Sequence, residues 1–504
     1  MITMKETFPK DPWKFEQLIF RTEVISVTGE PSGVIRSISS DSRTTEPGDL
    51  FVTLTKDPEK AAFHAKEAES RGAGAVISDV ALPDLKIPQA RVDSVRKAMA
   101  DVASAFYDDP SLALSVAGVT GTNGKTTTAW IIRHLCNTVG RSCGLIGTLE
   151  YILPGIVMDA PRTTPESLEL QRLLALMRNG GFRAVAMEVS SHAMVQHRIR
   201  NLEFDVAIFT NLTLDHLDYH HTMEEYFEAK AMLFTGLVGQ KNKKAKAIIN
   251  SDDRYGHRLI DRISRVPVIS YGQGSSCHFR ASNIKYTADG STFCLDAKGR
   301  SYLVRTPLIG LFNVYNTLAA IAACSSMGLE LRRLVAAAAS IPQVPGRLES
   351  VPGKRNFQVY VDYAHTPDAL ENVLKTIRQL QPAHLITVFG CGGDRDRSKR
   401  PQMASIAEKL SDKVIVTSDN PRQEDPMGIL HDITKGFRGN YHEVFLDRES
   451  AIRRAIEIAA PRDIVLIAGK GHETYQETQS GRQPFSDVMV AARAIAAKPV
   501  EGFQ

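Results

Sequence analysis

The sequence lacks the features of a membrane protein or of a disulfide-stabilised one. No apolar run approaches the roughly 20 residues of a membrane span. The segment Met1–Phe15 is polar and contains Pro9 and Pro12, unlike a signal peptide. The six cysteines include no Cys-x-x-Cys pair, so we expect free, mostly buried thiols in a reducing compartment. These absences predict a soluble, cytoplasmic protein.

Clustered charge of one sign is also scarce. Lys and Arg number 61 against 57 Asp and Glu, which leaves a formal net charge of +4. The short basic run at Lys241–Lys246 is better explained as a solvated loop. Nucleic-acid-binding proteins usually carry a clustered basic surface, so we expect no nucleic-acid partner. We expect a monomer.

The 504 residues are too many for one hydrophobic core and indicate about three domains. Three regions differ in pattern, and we place them at 1–110, 111–345 and 346–504. Strand-like apolar runs such as Leu50–Leu54 and Leu114–Val119 alternate with helical segments. This alternation predicts the α/β class, with parallel sheets covered by helices. In such sheets the loops after the strands' carboxyl ends form the ligand crevice.

One of these loops has the composition of a phosphate-binding loop. A strand-like run, Val116–Thr120, leads into Gly-Thr-Asn-Gly-Lys-Thr-Thr at 121–127 and then into a helix. Backbone N–H groups freed by glycines can surround phosphate oxygens, and a helix N-terminus favours negative charge. Lys125 can reach the terminal phosphates, and the Thr126 hydroxyl can bind Mg²⁺. The usual spacing is not met, because Gly118 stands one residue too early, and a simple glycine turn is the alternative.

Two later strands would end near this loop if they are its neighbours in the sheet. Ala184–Val189 contains Glu188, and Phe204–Phe209 is followed by a polar segment that includes His216. Glu188 and His216 are candidate Mg²⁺ ligands. His216 and His220 would share a helical face and could suggest zinc, but no Cys or Glu stands at a matching spacing.

Two further features leave alternatives open. Lys230 by itself resembles an ordinary solvated helix lysine. A regulatory nucleotide switch is less favoured, because the only Asn-Lys, at Asn242, continues Lys-Ala rather than x-Asp.

In the third region, four predicted strands each end in a loop rich in Gly, Asp, Arg or His. These loops are Tyr363–Asp368, Gly390–Arg397, Ser418–Arg422 and Gly469–Glu473. Together they would suit a small zwitterionic substrate or a transferring phosphate. Ordinary turn chemistry could explain any one of them.

These segments, in this order, resemble the Mur ligases. The resemblance rests on the phosphate loop together with Met-Glu-Val-Ser-Ser-His, Thr-Asn-Leu-Thr-Leu-Asp-His, Asn-Val-Tyr-Asn, Pro-Gly-Arg-Leu-Glu, Asp-Tyr-Ala-His-Thr-Pro, Asp-Asn-Pro-Arg and Gly-Lys-Gly-His-Glu, and it extends from about Ser39 to Asp487. It implies an N-terminal uridine-binding α/β domain, a central P-loop ATPase-type parallel sheet with helices, and a C-terminal Rossmann-like domain for the incoming amino acid.

The implied activity is ATP-dependent and Mg²⁺-dependent amide-bond formation through an acyl phosphate, in peptidoglycan synthesis. The implied substrates are UDP-N-acetylmuramoyl-L-alanyl-D-glutamate and meso-diaminopimelate. A lysine-adding enzyme and a folylpolyglutamate synthetase-like ligase are the alternatives.

The resemblance also implies residue roles, and the catalytic group would be Lys125, Glu188, His216 and Lys230. The metal would be held by Thr126, Glu188, His216 and Lys230, the last as a carbamate. ATP would be bound by Gly121, Thr122, Asn123, Gly124, Lys125, Thr126, Thr127, Asn313, Asn316, Arg347 and Asp362. The muramoyl substrate would contact Ser42, Thr163, Thr164, Ser190, Gln196 and Arg198. Diaminopimelate would contact Arg395, Asn420, Arg422, Gly469 and Glu473.

Arg422 carries the expectation about the amino acid, since it can pair with the distal carboxylate that diaminopimelate has and lysine lacks. One segment departs from the family pattern. Relatives often show a Gly and an Asp-Gly-His shortly after the Leu-Phe-Val strand at 50–52, where this chain has Lys56–His64.

Overall fold

The N-terminal region contains a five-stranded sheet with helices on both faces. The computed structural model describes residues 12–215, 217–353, 355–440 and 442–498. The N-terminal elements are β1 (Trp13–Lys14), α1 (Phe15–Ile19), β2 (Val24–Thr28), β3 (Val34–Ile35), β4 (Ser37–Ser39), β5 (Asp49–Val52), α2 (Pro58–Ser70), β6 (Ala75–Ser78), β7 (Gln89–Val92) and α3 (Val95–Phe106). The sheet order is β2-β7-β6-β5-β4, parallel except for β2.

Strand β5 shows why this sheet is covered on both sides. Side chains alternate across a strand, so Leu50 and Val52 pack in the cluster that contains α3, and Phe51 packs in the cluster that contains α2. All four residues of the strand are therefore buried.

The central region is built on an eleven-stranded sheet. Its elements are β8 (Ser115–Thr120), α4 (Lys125–Thr138), β9 (Cys143–Ile146), β10 (Glu150–Leu153), β11 (Ile156–Asp159), α5 (Ser167–Asn179), β12 (Ala184–Glu188), α6 (Ser191–Val195), β13 (Val206–Phe209), α7 (Leu217–His220), α8 (Met223–Gly236), β14 (Lys246–Asn250), α9 (Arg254–Arg262), β15 (Val268–Gly272), β16 (Phe279–Thr287), β17 (Gly290–Ala297), β18 (Arg300–Thr306), α10 (Leu311–Ser326) and α11 (Leu331–Ala337).

The order of this sheet is β11-β10-β9-β12-β8-β13-β14-β15-β16-β17-β18. The strands from β9 to β16 are parallel. Helices α4 and α10 cover one face, and α5 and α8 cover the other. Because β8 lies between β12 and β13, the residues that follow these three strands meet at one edge of the sheet.

The alternation of strand and helix does not hold throughout this region. Strands β16, β17 and β18 form an antiparallel meander. Their residues alternate between buried and more exposed along much of each strand. That pattern is typical of antiparallel strands with one face toward solvent.

The C-terminal region forms a six-stranded sheet. Its elements are β19 (Glu349–Ser350), β20 (Gln358–Asp362), α12 (Pro367–Arg378), β21 (Leu385–Phe389), α13 (Lys399–Leu410), β22 (Lys413–Thr417), α14 (Pro426–Thr434), β23 (His442–Phe445), α15 (Arg448–Ile458), β24 (Ile464–Ala468), β25 (Tyr475–Thr478), β26 (Gly481–Pro484) and α16 (Asp487–Ala497). The order is β19-β20-β24-β21-β22-β23, and the strands from β20 to β23 are parallel.

The four strands predicted in this region, β20, β21, β22 and β24, are thus parallel members of one sheet, and their loops open at the same edge. Each is buried along nearly its whole length, as expected of strands covered on both faces.

Within the described residues, no helix is both long and apolar enough to cross a membrane.

Candidate active site

The phosphate loop between β8 and α4 requires glycine at two positions. Gly121 and Gly124 both have positive φ, +147° and +84°. A Cβ at Gly121 would overlap the Thr210 hydroxyl, and one at Gly124 would overlap the Asn316 side chain. The loop is therefore held between the end of β13 and helix α10, and α4 begins at once with Lys125.

Two lysines donate to a single carbonyl oxygen of this loop. Lys125 Nζ lies 3.0 Å from Gly121 O and 2.8 Å from Thr122 O. Lys230 Nζ, arriving from α8, lies 2.8 Å from the same Gly121 oxygen. Two ammonium groups this close repel each other in a buried setting. This closeness favours the loss of a proton from one of them.

Lys230 is the lysine that the surroundings favour as neutral. It is only 1% exposed, so it is not the solvated lysine that its helix suggests. Burial, and next the charge of Lys125, hold the pKa of Lys230 well below its usual value, although Asp215 opposes this. A neutral amine is the form that reacts with CO₂ to give a carbamate. The surroundings of Lys230 therefore suit the predicted modification.

Glu188 ends β12 against the start of α4. Its carboxylate accepts from the Thr126 hydroxyl at 3.0 Å. It also accepts from Thr148, through the backbone N–H at 2.7 Å and the hydroxyl at 3.1 Å. Glu188 is 1% exposed. A carboxylate and a hydroxyl in contact beside a phosphate loop are suitable ligands for Mg²⁺.

The residues predicted for the muramoyl substrate continue outward from Glu188. The Thr164 hydroxyl donates to Glu188 O at 2.8 Å, and Ser190 N donates to that hydroxyl at 3.1 Å. Arg198 donates to Thr164 O at 2.8 Å and to Gln196 Oε1 at 2.6 Å. Thr163 shares a 3.0 Å hydrogen bond with Thr148. The structure brings all five predicted residues other than Ser42 into one network.

Helix α10 places the two predicted adenine-side residues behind the loop. Asn316 Oδ1 accepts from the Thr128 hydroxyl at 3.3 Å, and Asn316 Nδ2 donates to Asn313 Oδ1 at 3.2 Å. Asn313 in turn donates to Ile309 O at 2.9 Å. Both side chains are nearly buried. Asn316 faces the cavity, and Asn313 orients it.

The C-terminal region contributes a cation to the same site. Arg347 Nη2 lies 3.4 Å from the Thr126 hydroxyl, and its guanidinium lies over the Tyr363 ring at 4.7 Å. Its buried Nε has no hydrogen-bond partner among the described residues. An unpaired buried donor is costly, and an anionic ligand would satisfy it. Asn123 also reaches across, donating to Asp368 at 3.1 Å.

Asp362, at the end of β20, shapes the segment that carries Arg347. Its carboxyl group accepts from Leu348 N at 2.6 Å and from Ala364 N at 2.8 Å. Burial raises the pKa of Asp362 to about 6, although the nearby Arg347 opposes the shift.

These elements enclose one cavity of about 680 Å³. Its walls come from the phosphate loop, from the network around Thr164, and from the C-terminal segment around Tyr363. Lys230 and Asp215 also line it. The cavity is large enough for a nucleotide and part of a second substrate.

A second cluster lies on the loops of the C-terminal sheet, outside the residues that line this cavity. Asn420 donates to Glu473 Oε2 at 2.7 Å and accepts from Lys470 Nζ at 2.9 Å. Lys470 also lies 2.9 Å from Glu473. Arg422, at a φ of +52°, donates to Gly393 O at 2.7 Å and pairs with Glu477 at 3.4 Å. Opposite charges are therefore grouped as a zwitterionic ligand requires.

Two predicted residues, Ser42 and Arg395, lie apart from these groups, and a third lies outside the residues that the structure describes. Ser42 is in the N-terminal region, where its hydroxyl contacts His64 at 3.2 Å and Glu67 at 2.5 Å. Arg395 is exposed and donates to the backbone of Asp394. His216 lies outside the described residues.

The remaining predicted residues adjoin the two groups. Thr122 and Thr127 are buried in the phosphate loop. Gly469 has a φ of +117°, and a Cβ there would lie 2.6 Å from Asp419 Oδ2.

Sequence reasoning missed three residues that the structure puts in these groups. Asp215 precedes the predicted His216, and Thr148 follows β9, a neighbour of β12. Lys470 lies between two glycines of a loop that was already singled out. All three follow a strand's carboxyl end or stand within a quoted motif, so the rule that ligand loops follow parallel strands could have found them.

The oxygen donors beside the phosphate loop suit an Mg²⁺ ion that is bound partly by substrate phosphate better than a metal ion that is bound by protein side chains alone. The described residues contain no group of three or more His, Cys, Asp or Glu side chains suited to a metal. Mg²⁺ commonly takes only one or two protein carboxylates beside substrate phosphates, and Glu188 with Thr126 meets that need. His220 is buried, its Nε2 hydrogen-bonds Ser191 Oγ at 2.8 Å, and it is not among the residues that line the cavity.

The fold and this geometry define a phosphate-loop nucleotide-binding protein with a second cluster of charged side chains on its C-terminal loops. The Mur ligase middle domain matches residues 119–324, and the Mur ligase glutamate ligase domain matches residues 346–471. A UDP-N-acetylmuramoyl-L-alanyl-D-glutamate--2,6-diaminopimelate ligase of Geobacillus kaustophilus is 46% identical over 92% of this chain and 95% of that protein. The chain belongs to the Mur ligase family.

Solved structures support the same fold. That of another UDP-N-acetylmuramoyl-L-alanyl-D-glutamate--2,6-diaminopimelate ligase is 36% identical, with a TM-score of 0.71, over 97% of this chain and 99% of that one. Mycobacterium tuberculosis folylpolyglutamate synthase, complexed with ADP and AMPPCP, has a TM-score of 0.61 at 18% identity, over 80% of this chain and 96% of that one. The second likeness shows a shared fold only.

We expect Gly121→Ala to reduce kcat/KM by at least about 100-fold, because the added Cβ displaces the loop that positions phosphate. Steady-state kinetics with circular dichroism would test this. Gly239→Ala is the matched control, since a Cβ there would meet no described atom within 4 Å. Similar activity in the two variants would contradict the assigned contact.

Asp362 should give folding a measurable pH dependence. The raised pKa means that the folded chain binds this proton more tightly than the unfolded chain. The stability that the folded chain gains from the protonated Asp362 carboxyl group is therefore fully present below about pH 4 and is lost as the pH rises through about 6. Relative to Asp362→Asn, the wild-type free energy of unfolding should fall by roughly 3 kcal/mol across this range. Urea unfolding at several pH values would check this, and a flat difference would count against it.

Proposed function

We propose that this chain is an ATP-dependent ligase that joins meso-diaminopimelate to the D-glutamate γ-carboxylate of UDP-N-acetylmuramoyl-L-alanyl-D-glutamate, in peptidoglycan synthesis. The observation that carries the proposal is the hydrogen-bonded path from Thr126 through Glu188 to Thr164. It links the phosphate loop to the predicted muramoyl-binding residues within one cavity. A carboxylate substrate bound there would lie beside the phosphate that it must receive.

The three largest sheets suggest a separate function for each region, and we propose these regions as domains 1–110, 111–345 and 346–504. The first would bind the uridine end of the substrate near Ser42, the second ATP, and the third the incoming amino acid. Contacts of Arg347 with Thr126 and of Asp368 with Asn123 join the third domain to the ATP site.

In the proposed mechanism, the D-glutamate carboxylate attacks the γ-phosphorus of ATP, giving an acyl phosphate and ADP. The diaminopimelate amine then attacks the acyl carbon, and phosphate leaves. Most of the rate enhancement would come from positioning and from neutralising phosphate charge. Lys125 and Arg347 supply positive charge on two sides of the cavity, and closing the site excludes water.

Glu188, the Thr126 hydroxyl and the carbamate of Lys230 would hold Mg²⁺, with His216 as a further proposed ligand. When bound, the ion would neutralise charge on the phosphate oxygens. Carbamylation converts Lys230 from a potential cation to an anion. That change would remove its repulsion with Lys125 and replace it with attraction.

The amino-acid site would be the cluster of Asn420, Lys470 and Glu473, with Arg422 beside it. An acidic residue and an amide suit an ammonium group, and the arginine suits a carboxylate. Arg422 already pairs with Glu477, so a substrate carboxylate would compete for a guanidinium held in place. Arg395 and Gly469 complete the proposed set.

We also propose that the reaction takes place in the cytoplasm. ATP is consumed in the reaction, and the six cysteines are free thiols, as is usual in a reducing compartment.

We expect diaminopimelate to be a better acceptor than lysine, and Arg422→Ala to reduce kcat/KM for diaminopimelate by about 100-fold. Arg482→Ala is the matched control, because Arg482 also pairs with Glu477, at 3.7 Å, but from an exposed position. Phosphate release with each acceptor would measure the preference. If lysine were the better wild-type acceptor, the lysine-adding alternative would hold.

Lys230→Ala should lose most activity and recover part of it with formate or acetate, because a small carboxylate can occupy the space of the carbamate. Lys243→Ala is the control, since Lys243 is another lysine with little exposed surface and a lowered pKa, but it pairs with Asp205. In the wild type, ¹³C-labelled bicarbonate should produce a carbamate NMR signal. No rescue together with no signal would contradict the carbamate role.

A further inference from the structure

A fully buried ion pair lies beneath the loops that form the proposed amino-acid site. Arg448, the first residue of α15, and Asp487, the first residue of α16, have no exposed side-chain surface. Their two hydrogen bonds, from Nε and Nη2 to the two carboxylate oxygens, are both 2.8 Å long. A buried ion pair is a poor source of stability by itself, since desolvation offsets the attraction. The other hydrogen bonds of Arg448 are therefore the better guide to its role.

The same guanidinium holds the carboxyl ends of two strands. Arg448 donates to Ser418 O at 3.2 Å, just after β22, and to Ala468 O at 3.0 Å, at the end of β24. These strands are not neighbours, because β21 lies between them. Arg448 thus spans three strands with one planar group whose donors point in fixed directions.

Each of these carbonyls lies two residues before a member of the amino-acid cluster. Ser418 leads to Asn420, and Ala468 leads to Lys470. The loops also pack closely against each other, because a Cβ at Gly390 would overlap Thr417 O and one at Gly469 would lie 2.6 Å from the side-chain oxygen Asp419 Oδ2. A shift of either strand end would therefore move Asn420 relative to Lys470.

We propose that Arg448 is a positioning residue for the acceptor amino acid, which sets the separation of Asn420 from Lys470 and Glu473 without touching substrate. The inference rests on the proposed function, since it assumes that this cluster binds the acceptor. Asp487 keeps the guanidinium in orientation, and Arg448 acts through the two backbone carbonyls.

The test compares Arg448→Lys with wild type in the full-length enzyme. Lysine keeps the charge but cannot donate to both carbonyls and both carboxylate oxygens at once. We expect KM for diaminopimelate to rise about 10- to 100-fold, with KM for ATP and for the muramoyl substrate within about twofold of wild type. Acyl phosphate formation, trapped as a hydroxamate by hydroxylamine without acceptor, should keep its wild-type rate.

Asp463→Asn is the matched control. Asp463 is a buried carboxylate just before the other end of β24, and it accepts from His384 N at 3.0 Å and Ala460 N at 2.8 Å. The Asp463→Asn substitution should perturb the same domain without raising KM for diaminopimelate more than KM for the other two substrates. If Arg448→Lys behaves like Asp463→Asn, or raises all three KM values together, or slows hydroxamate formation in parallel, the proposal is overturned.

Two further outcomes keep the test decisive. Should Arg448→Lys fail to fold, the pair Arg448→Met with Asp487→Leu replaces the ion pair by apolar side chains, a change that buried pairs often tolerate. The same selective rise in KM is expected, and failure of both variants to fold would assign a structural role and overturn the proposal. If the wild type forms no hydroxamate, the proposed function itself fails, whatever the variants show.

Discussion

The arrangement of the site depends on one backbone oxygen, Gly121 O, which accepts from Lys125 and Lys230 together. Two buried cations on one acceptor repel each other, which favours the loss of a proton from one of them. Burial and Lys125 both lower the pKa of Lys230. The phosphate loop therefore holds beside it a buried amine whose loss of a proton is favoured by its surroundings.

Parallel strands explain why so many functional groups surround this oxygen. Strands β12, β8 and β13 are adjacent and parallel, so Glu188, the phosphate loop and Thr210 emerge at one edge. The C-terminal sheet repeats the arrangement with β20, β24, β21 and β22. In both sheets glycines stand where loops touch, since a Cβ would overlap a neighbouring loop. Close loop contact is what lets small side-chain groups act together.

Much of the fold could be predicted from the sequence. Strands β20, β21, β22 and β24 end directly before the four loops at which strand ends were predicted, because strands covered on both faces are continuous apolar runs. The meander of β16, β17 and β18 was not distinguished from alternating strand and helix, since short apolar runs do not specify the direction of their partners. The proximity of Glu188 to Thr126 was predicted only on the condition that their strands were neighbours.

The sequence by itself determined the phosphate loop, the order of the motifs and the family, because these depend on local residue types at short spacing. Only the tertiary structure decided that Lys230 is buried, that Lys470 joins Asn420 to Glu473, and that Arg448 lies beneath them. It also placed Ser42 and Arg395 apart from the two groups. Burial and charge coupling depend on which distant segments pack together, and hydrogen bonds between strand ends depend on sheet order. Neither can be read from local spacing when the residues are as far apart in the chain as Lys125 and Lys230, which are 105 positions apart.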